Sequence, residues 1–561
     1  MRKNLQILSE QRDRGAALIL VIGIGALVTA LIATAIVVAV NGSRHARNDV
    51  DRQGALAAAY AGVEEYQSRL DADPGYVNSG NDDAAFSAGS GLIDDVSNPA
   101  LGYGGSWADV PGSDGTASYR YAVDTSRYDT EGTIRLQSTG RVGDETRTVV
   151  VDLRQDEFLN YLYFTDYEIQ DPAVSRRTDA CKKYSYQGRD DTYCGIIQFG
   201  NGDRVLGEVH SNDTIYACQA TFDGTVTTAW ARPSGVRYLR TSDCNRTPVF
   251  EVRDPVRGNS PLYRRALQMP ETNTEIRADA IESGCLYTGP TSITFTADGR
   301  MAIKSPWTRV TRPGAAVPNP PECGDPASVR AGTTIPVPNG AAIYVQTVPG
   351  AGDVNYWTTN KPSCGRGNPV GYPRSDESIP AEVDGVPAYG CQNGDIFVQG
   401  TLDGQVTLAA QNYVYVVGST MYEDPDDDML GLIGNNMVWV WNPIINSRTE
   451  PRNVTIHAAI LSLRSFTVQN TAEYARADSR LSATPTLTVR GSIAQRYRGI
   501  VYTSWSSGWT SYSTGYTKNY QYDSRLRFRS PPHFLSPVAT RYGISTWIES
   551  PPAYDAQGNE R

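Results

Sequence analysis

Histidines are the first residues to test for catalysis, because histidine is the commonest general base near neutral pH. The chain has four, His45, His210, His457 and His533. Only His210, in GEVHSND, has several polar neighbours, and a turn between strands explains the same letters. The sequence contains no HExxH, GxSxG, phosphate-binding loop or dinucleotide fingerprint. These patterns favour structural roles for the histidines and predict a non-enzymatic protein.

Acidic residues cluster in EDPDDD, where Asp424, Asp426 and Asp428 could supply oxygen ligands for calcium. The stretch lacks the glycine and the distal glutamate of an EF-hand loop. A solvated turn between two strands is therefore the favoured interpretation, and calcium is the weaker alternative. We expect no other cofactor.

Aromatic residues alternate with Ser, Thr and Gly in YTSWSSGWTSYSTGY, which contains Trp505, Trp509, Tyr512 and Tyr516. Such residues suit stacking on sugars or on a protein partner when they are exposed. The sequence favours the simpler alternative, a loop that covers one end of an apolar core.

Eight cysteines occur at spacings of 13 to 41 residues, and none forms a CxxC pair. An even number at such spacings fits disulfides in an oxidising compartment better than a zinc cluster, with free buried thiols as the alternative. Pairing of nearest neighbours along the chain is preferred among about 105 combinations. The cysteines are Cys181, Cys194, Cys218, Cys244, Cys285, Cys323, Cys364 and Cys391.

Composition limits the class of protein. The 51 basic and 61 acidic residues give a net charge of −10. No basic block is present, so we expect no nucleic-acid partner. The 52 glycines, 33 tyrosines and 33 prolines suit short strands and tight turns. The sequence predicts an α+β protein that is mainly β.

One segment requires a different environment from the rest. Residues 15–40 are apolar and uncharged, and they would span about 39 Å as a helix, enough to cross a bilayer. Arg2, Lys3, Arg12 and Arg14 precede the segment, which places the amino terminus in the cytoplasm and the bulk of the chain outside. The sequence thus predicts a single-pass protein of the inner or cytoplasmic membrane with a large extracytoplasmic body.

The helix is expected to continue beyond the membrane. Leu56, Ala59, Val63, Tyr66 and Leu70 recur at helical spacing, and no proline occurs before residue 74. The alternative is an anchor helix followed by a separate juxtamembrane helix.

The basic leader ending in Gly15, the apolar segment and DRQGALAAAYAGVEEYQSRL together resemble the start of type IV pilus assembly proteins of the minor pilin kind with a PilX-like amino-terminal domain. The resemblance implies cleavage between Gly15 and Ala16 by a prepilin peptidase and packing of the helix in a filament. The family usually has a glutamate where this chain has Leu20, a difference that fits minor subunits. Implied partners are other pilin-like subunits and the pilus assembly machinery.

We divide the chain into a leader (1–15), a transmembrane and amphipathic pilin-like helix (16–70), a small pilin-like α/β region (71–156), a body (157–550) and a polar tail (551–561). Residues 71–116 are expected to form a surface loop, and a hairpin follows with its turn near Gly143. Its predicted buried face consists of Ile134, Leu136, Val149, Val151 and Leu153.

The body repeats a pattern of short apolar alternation followed by a Gly or Asn corner, which favours a parallel β-helix or similar β-solenoid over a pair of β-sandwiches. Pro-rich segments between residues 241 and 391 are expected to be surface loops stapled by cysteines. VRGSIAQRYRG, GYTKNYQYDSRLRFRSPPHF and Trp547 also resemble the carboxy-terminal region of large pilus-associated surface proteins. The predicted inward residues are Ile396, Val398, Leu402, Val406, Leu408, Val414 and Val416, with corners at Gly400, Gly404 and Asn412.

The sequence therefore predicts a non-enzymatic surface protein, a minor or tip component in the assembly of a type IV pilus or related filament. One alternative is a membrane-anchored adhesin or carbohydrate-binding protein. The second alternative is a β-helix enzyme that degrades polysaccharide through acidic and basic groups in a cleft.

Overall fold

The computed structural model describes residues 4–128, 133–155, 157–200, 202–316, 318–365, 367–445, 448–449, 452–471, 485–507, 510–537 and 542–561. The chain forms two compact units. Unit 1 consists of Met1–Gln155 and Arg541–Arg561, and unit 2 of Asp156–Thr540. The fold is α+β and mainly β.

Unit 1 begins with one continuous helix, α1 (Asn4–Ala72). It also covers residues 4–15, which the sequence assigns to the leader. The helix stops before Pro74, where the Asp73 carboxylate accepts a hydrogen bond from the Gly75 amide at 2.9 Å and caps a 3-10 turn. Two separate helices, the alternative interpretation, are not present.

A five-stranded antiparallel sheet lies against the second half of α1, in the order β3 (Ala108–Asp109), β4 (Ala117–Asp124), β5 (Thr133–Val142), β6 (Glu145–Gln155) and β34 (Tyr542–Ser550). Gly143 closes the predicted β5–β6 hairpin with φ of +56°, and all five residues predicted for its buried face are fully buried. The strands of unit 1 are β1 (Ser79–Gly80), β2 (Ile93–Asp94), β3 (Ala108–Asp109), β4 (Ala117–Asp124), β5 (Thr133–Val142), β6 (Glu145–Gln155) and β34 (Tyr542–Ser550).

Residues 71–116 differ from the predicted surface loop. Leu92 and Leu101 join the apolar core of unit 1, and Asn98 is buried. The Asn98 amide donates to the Tyr121 hydroxyl at 2.7 Å. A few apolar side chains and one satisfied amide are enough to pack this polar segment on the sheet.

The last residues are also placed differently from the prediction. Strand β34, assigned by sequence to the body, pairs with β6, and the predicted polar tail packs on the same sheet. Tyr554 is buried, and the Arg120 guanidinium carbon lies 3.9 Å from its ring centroid. Arg141 donates to the Ala556 carbonyl at 2.8 Å. Cation–π and backbone contacts hold a polar segment that composition alone marks as a tail.

The described residues of unit 2 form four short helices and most of the strands. The helices are α2 (Pro172–Ser175), α3 (Asp191–Cys194), α4 (Thr274–Glu282) and α5 (Pro326–Ala331). Its strands are β7 (Tyr163–Tyr167), β8 (Arg204–Leu206), β9 (Val209–Ser211), β10 (Ile215–Tyr216), β11 (Thr221–Phe222), β12 (Val226–Thr228), β13 (Tyr238–Leu239), β14 (Val249–Phe250), β15 (Leu262–Tyr263), β16 (Cys285–Thr288), β17 (Thr291–Thr296), β18 (Arg300–Lys304), β19 (Thr333–Pro336), β20 (Ala341–Gln346), β21 (Ile396–Leu402), β22 (Gln405–Ala410), β23 (Val414–Tyr422), β24 (Met429–Gly434), β25 (Val438–Val440), β26 (Ile444–Ile445), β27 (Arg448–Thr449), β28 (Val454–Ser462), β29 (Phe466–Val468), β30 (Thr486–Tyr497), β31 (Tyr502–Ser507), β32 (Thr510–Gly515) and β33 (Thr517–Tyr522).

Parallel ladders connect most of these strands. One ladder runs β16-β20-β22-β24-β28-β30-β7-β9-β12-β15. A second runs β17-β21-β23-β25-β29. A third pairs β30 with β33 and continues through β8 and β11 to β14. Antiparallel pairing of β17, β18 and β19 makes the sheet mixed.

One apolar cluster receives side chains from all three ladders. The seven residues predicted to point inward between 396 and 416 belong to it. Gly404 and Asn412 lie between strands as predicted, whereas Gly400 lies inside β21 at a register shift, with φ of +110°. The predicted corner at Gly400 is therefore a bulge, because only a glycine accepts this φ next to the Phe295 backbone.

The segment between residues 241 and 391 alternates structured parts with the predicted Pro-rich loops, residues 312–326 and 361–378, whose described residues contain no strand. Outside these two loops the segment contributes strands β16 to β20 and helix α4, whose Ile276 and Ala280 are buried against β20. Trp307, in the same segment, is 1% exposed. Prolines at turns do not prevent the intervening residues from joining the core.

Candidate functional site

The first half of α1 is the most unusual surface of the molecule. Its large apolar residues from position 18 to position 40 are exposed, from 45% for Val40 to 74% for Ile19. Among the described residues, α1 alone is long and apolar enough to cross a membrane. An exposed apolar surface of this size requires lipid or protein around it.

The polar atoms of this exposed half are satisfied within the helix. The Thr29 hydroxyl donates to the Gly25 carbonyl at 2.7 Å, and the Thr34 hydroxyl donates to the Ala30 carbonyl at 3.0 Å. Neither hydroxyl therefore needs water or an outside partner. The surface suits a lipid bilayer and a bundle of similar helices equally well.

The second half of α1 is buried on the sheet of unit 1. Ala59, Val63, Tyr66 and Leu70 have no exposed surface, which confirms the predicted apolar face at these four positions. Leu56, the fifth residue of this face, is half-buried and packs against the same core. One helix thus has an unpartnered apolar half and a docked amphipathic half.

Close approach of α1 to β5 depends on small residues that sequence reasoning missed. A Cβ at Gly140 would collide with the backbone of Ala55 and Ala59, and one at Gly62 would collide with Ser138 and Tyr119. Glycine in a strand often marks such an approach of another backbone, which is the signal that could have identified Gly140.

A polar network fixes the helix on the sheet. The Tyr121 hydroxyl donates to the Glu65 carboxylate at 2.7 Å, and Arg69 pairs with the same carboxylate. Burial is the main cause that raises the pKa of Tyr121 well above its usual value. Tyr121 therefore stays a neutral donor to Glu65 across the physiological range.

The predicted processing residues Gly15 and Ala16 lie within α1. Leu20, where the resembling family has glutamate, is 63% exposed. Cleavage at this position stays a prediction.

The histidines are dispersed rather than assembled. His210 is fully buried, with Nδ1 2.8 Å from the Thr227 hydroxyl and Nε2 3.2 Å from the Asn212 side-chain oxygen. Burial lowers the pKa of His210 to about 3, so the imidazole is neutral at physiological pH. This environment is that of a core histidine.

The other histidines lie elsewhere. His457 Nδ1 accepts a hydrogen bond from the Tyr422 amide at 3.2 Å. His533 Nδ1 lies 2.7 Å from the Asp279 carboxylate, and His45 is exposed on α1. The structure brings none of the four together.

The acidic turn uses its carboxylates internally. Asp428 accepts from the Gly404 amide at 2.6 Å and from the Asp424 amide at 2.7 Å, and Asp424 accepts from the Asp426 amide at 2.9 Å. Within the described ranges, no group of three or more His, Cys, Asp or Glu residues is placed to hold a metal ion. The turn is a hydrogen-bonded corner, and calcium binding there remains a prediction of the sequence alone.

The aromatic segment forms a hairpin of β31 and β32 in which Trp505 is the register partner of Tyr512. Tyr516 is 1% exposed and belongs to the core of unit 2, so it is not a contact residue. Trp509 lies outside the described residues. The inward position of Tyr516 agrees with the covering role that the sequence favours.

The eight cysteines form four disulfides with the pairing that the sequence prefers. The bonds are Cys181–Cys194, Cys218–Cys244, Cys285–Cys323 and Cys364–Cys391. All four lie in unit 2 and close loops of 13 to 38 residues. They fit a body that folds in an oxidising compartment.

Comparisons with known proteins identify little. No family model matches the chain, and no curated protein matches it. One solved structure to which the chain is similar is the competence-associated pilin ComZ from Thermus thermophilus, with 11% sequence identity and a TM-score of 0.28. That alignment covers 90% of this chain and 98% of the ComZ chain.

Proposed function

We propose that this chain is a non-enzymatic, pilin-like surface protein that acts as a minor or tip component in the assembly of a type IV pilus or related filament. One observation carries the proposal: a single helix, α1, has an exposed apolar first half and a second half docked on an antiparallel sheet. The PilX-like character of the start is part of the same proposal.

Lipid and a filament core are alternative environments for the same apolar surface. Before assembly, the bilayer surrounds residues 18–40, with a short cytoplasmic amino terminus and with the rest of unit 1 and all of unit 2 outside. After cleavage by the prepilin peptidase between Gly15 and Ala16, the assembly machinery would move the helix into a bundle of pilin-like helices. The transfer exchanges one apolar environment for another, so it exposes little apolar surface to water.

We further propose that unit 2 is a β-solenoid whose rungs are the strands of the parallel ladders. Side chains from the three ladders meet in one apolar cluster, as stacked rungs require. A body of this size on one subunit suits a tip or low-copy position better than repetition along a thin filament. The absence of a glutamate at Leu20 favours the same position.

Processing distinguishes this role from that of an adhesin with an uncleaved anchor. Mass spectrometry of the amino terminus, on protein from sheared filaments, should find a chain that begins at Ala16. Gly15→Leu should block cleavage and remove the protein from the filament fraction, whereas Gly42→Leu should leave processing unchanged. A filament-borne protein that retains residues 1–15 would refute the proposal.

A further inference from the structure

Unit 2 contains a cleft of about 570 Å³ that the filament role does not use. Its floor includes Trp439 on β25, Met437 directly before β25, and Ser465 directly before β29. One wall is residues 170–177, which include α2, and the other is residues 380–383. The volume lies in the range of small-molecule sites, about 300 to 1,000 Å³.

Arg464 ties the two walls together. Its guanidinium donates two hydrogen bonds of 2.7 Å to the Asp171 carboxylate on the first wall and one of 2.8 Å to Asp384, next to the second wall. Each wall also adjoins a disulfide-closed segment, through Cys194 and Cys391. The cleft is therefore held open in advance of any ligand, which reduces the entropy lost on binding.

Several polar groups of the cleft lack a protein partner. The Ser465 hydroxyl lies on the floor, and it has no hydrogen-bond partner in the described part of the chain although the residue is 2% exposed. The exposed Arg176 and the half-buried Gln170 amide also have no side-chain hydrogen bond or ion pair among the described residues. The Arg176 guanidinium and the Gln170 amide are accessible from the cleft, so a ligand can hydrogen-bond to them.

The charges and the apolar floor together indicate the ligand chemistry. Arg464 neutralises Asp171, and Arg498 of the lining is paired with Glu168. The remaining charged residues of the lining are the exposed Arg176, Arg177 and Glu382. The guanidinium carbon of Arg177 lies 4.7 Å from the centroid of the Tyr193 ring. Guanidinium groups bind carboxylates strongly. The Trp439 indole, which is 5% exposed and stacked on Tyr413, adds a small apolar contact for a sugar ring. We propose that this cleft binds an acidic oligosaccharide, with its carboxylate at the two arginines and a hydroxyl at Gln170.

A peptide strand fits this cleft less well. Peptides that bind by strand addition need an unpaired strand edge. The floor strand β29 is paired with β25 on one side, and its Val468 amide donates to the Ile500 carbonyl at 3.1 Å on the other. The described part of the floor strand thus offers side chains to a ligand, and its backbone is already paired on both sides.

Calorimetric titration of the full chain in detergent micelles tests the assignment with three probes: trigalacturonic acid, neutral maltotriose and a hexaglutamate peptide. We expect trigalacturonic acid to bind at least tenfold more tightly than the other two. The double substitution Arg176→Gln and Arg177→Gln should weaken its binding at least tenfold, and Ala173→Trp should abolish it by filling the cleft. Arg240→Gln, at an exposed arginine outside the cleft, should leave it unchanged.

Thermal melting confirms that each variant is folded before titration. Absence of binding by both saccharides would overturn the proposal, as would hexaglutamate binding as tightly as trigalacturonic acid. Equal losses of affinity for trigalacturonic acid in Arg240→Gln and in the double variant would also overturn the proposal, because they would indicate a general charge effect. Failure of this test leaves the leader-cleavage test of the filament role unaffected.

Discussion

The Ser138 hydroxyl on β5 donates a 2.8 Å hydrogen bond to the backbone carbonyl of Ala59 in α1. A hydroxyl reaches a helix carbonyl in this way only when the helix lies almost on the sheet. Two residues away, Gly140 faces the α1 backbone with no room for a side chain. The docked half of α1 therefore depends on this close contact.

Gly140→Ala should release the docked half of α1. The added methyl group would collide with helix backbone, and overpacking of this kind destabilises by about 1 to 3 kcal/mol. Hydrogen exchange of the amides in residues 55–70 should accelerate by roughly tenfold or more. Gly42→Ala, in the same helix with no neighbouring atom within 4 Å, should cause no acceleration. Unchanged exchange in Gly140→Ala would contradict the close contact.

Buried His210 should make unit 2 sensitive to acid. Its pKa is about 3 when folded against about 6.5 when unfolded, so unfolding takes up a proton between these values and stability falls as the pH decreases. Between pH 6 and pH 4, the free energy of unfolding of the wild type should fall by about 1.4 kcal/mol per pH unit more than that of His210→Gln. Urea titrations followed by near-ultraviolet circular dichroism measure the difference. Parallel curves for the two proteins would exclude a buried neutral imidazole.

The four disulfides should be reduced in a defined order. Cys285 and Cys323 have no exposed surface, whereas Cys364 is exposed. Under native conditions with dithiothreitol, the Cys364–Cys391 bond should open first because thiol exchange requires access to a sulfur atom. Alkylation followed by peptide mass spectrometry gives the order. Earlier opening of Cys285–Cys323 would show that this part of the core is not closed.

Arg464 should matter more for stability than its exposed partner. Asp171 is 1% exposed, so Arg464→Met would leave a buried carboxylate without its counter-charge, at a cost of about 3 to 5 kcal/mol. Asp384 has a 67% exposed side chain, and Asp384→Asn should cost less than about 1 kcal/mol. Chemical denaturation of both variants measures the contrast. Similar losses in the free energy of unfolding of the two variants would contradict the ion-pair geometry.

Local periodicity predicted the local parts of the fold. Ile396, Val398 and Leu408 alternate with outward residues, and a period of two identifies a buried strand face without further information. The helical spacing of Val63, Tyr66 and Leu70 identified the docked face of α1 in the same way. Such patterns arise from neighbouring residues, so they are visible in one sequence.

Contacts between distant segments were not predictable in this way. Strand β30 pairs with β7 through Ile493 and Tyr163, which are separated by most of unit 2. The cleft likewise joins Asp171 to Arg464, 293 residues apart. No local period specifies which strands become neighbours, so the ladder order and the cleft emerge only from the three-dimensional structure.

Photo-crosslinking from the exposed half of α1 tests the central claim most directly. Benzoylphenylalanine in place of Leu31, which is 60% exposed, should capture another subunit in sheared filaments, with the adduct on that subunit's own apolar amino-terminal helix. The same group in place of Val96, 76% exposed outside the helix, should give no such adduct. Adducts confined to lipid, with no protein in the filament fraction, would contradict a pilin-like role.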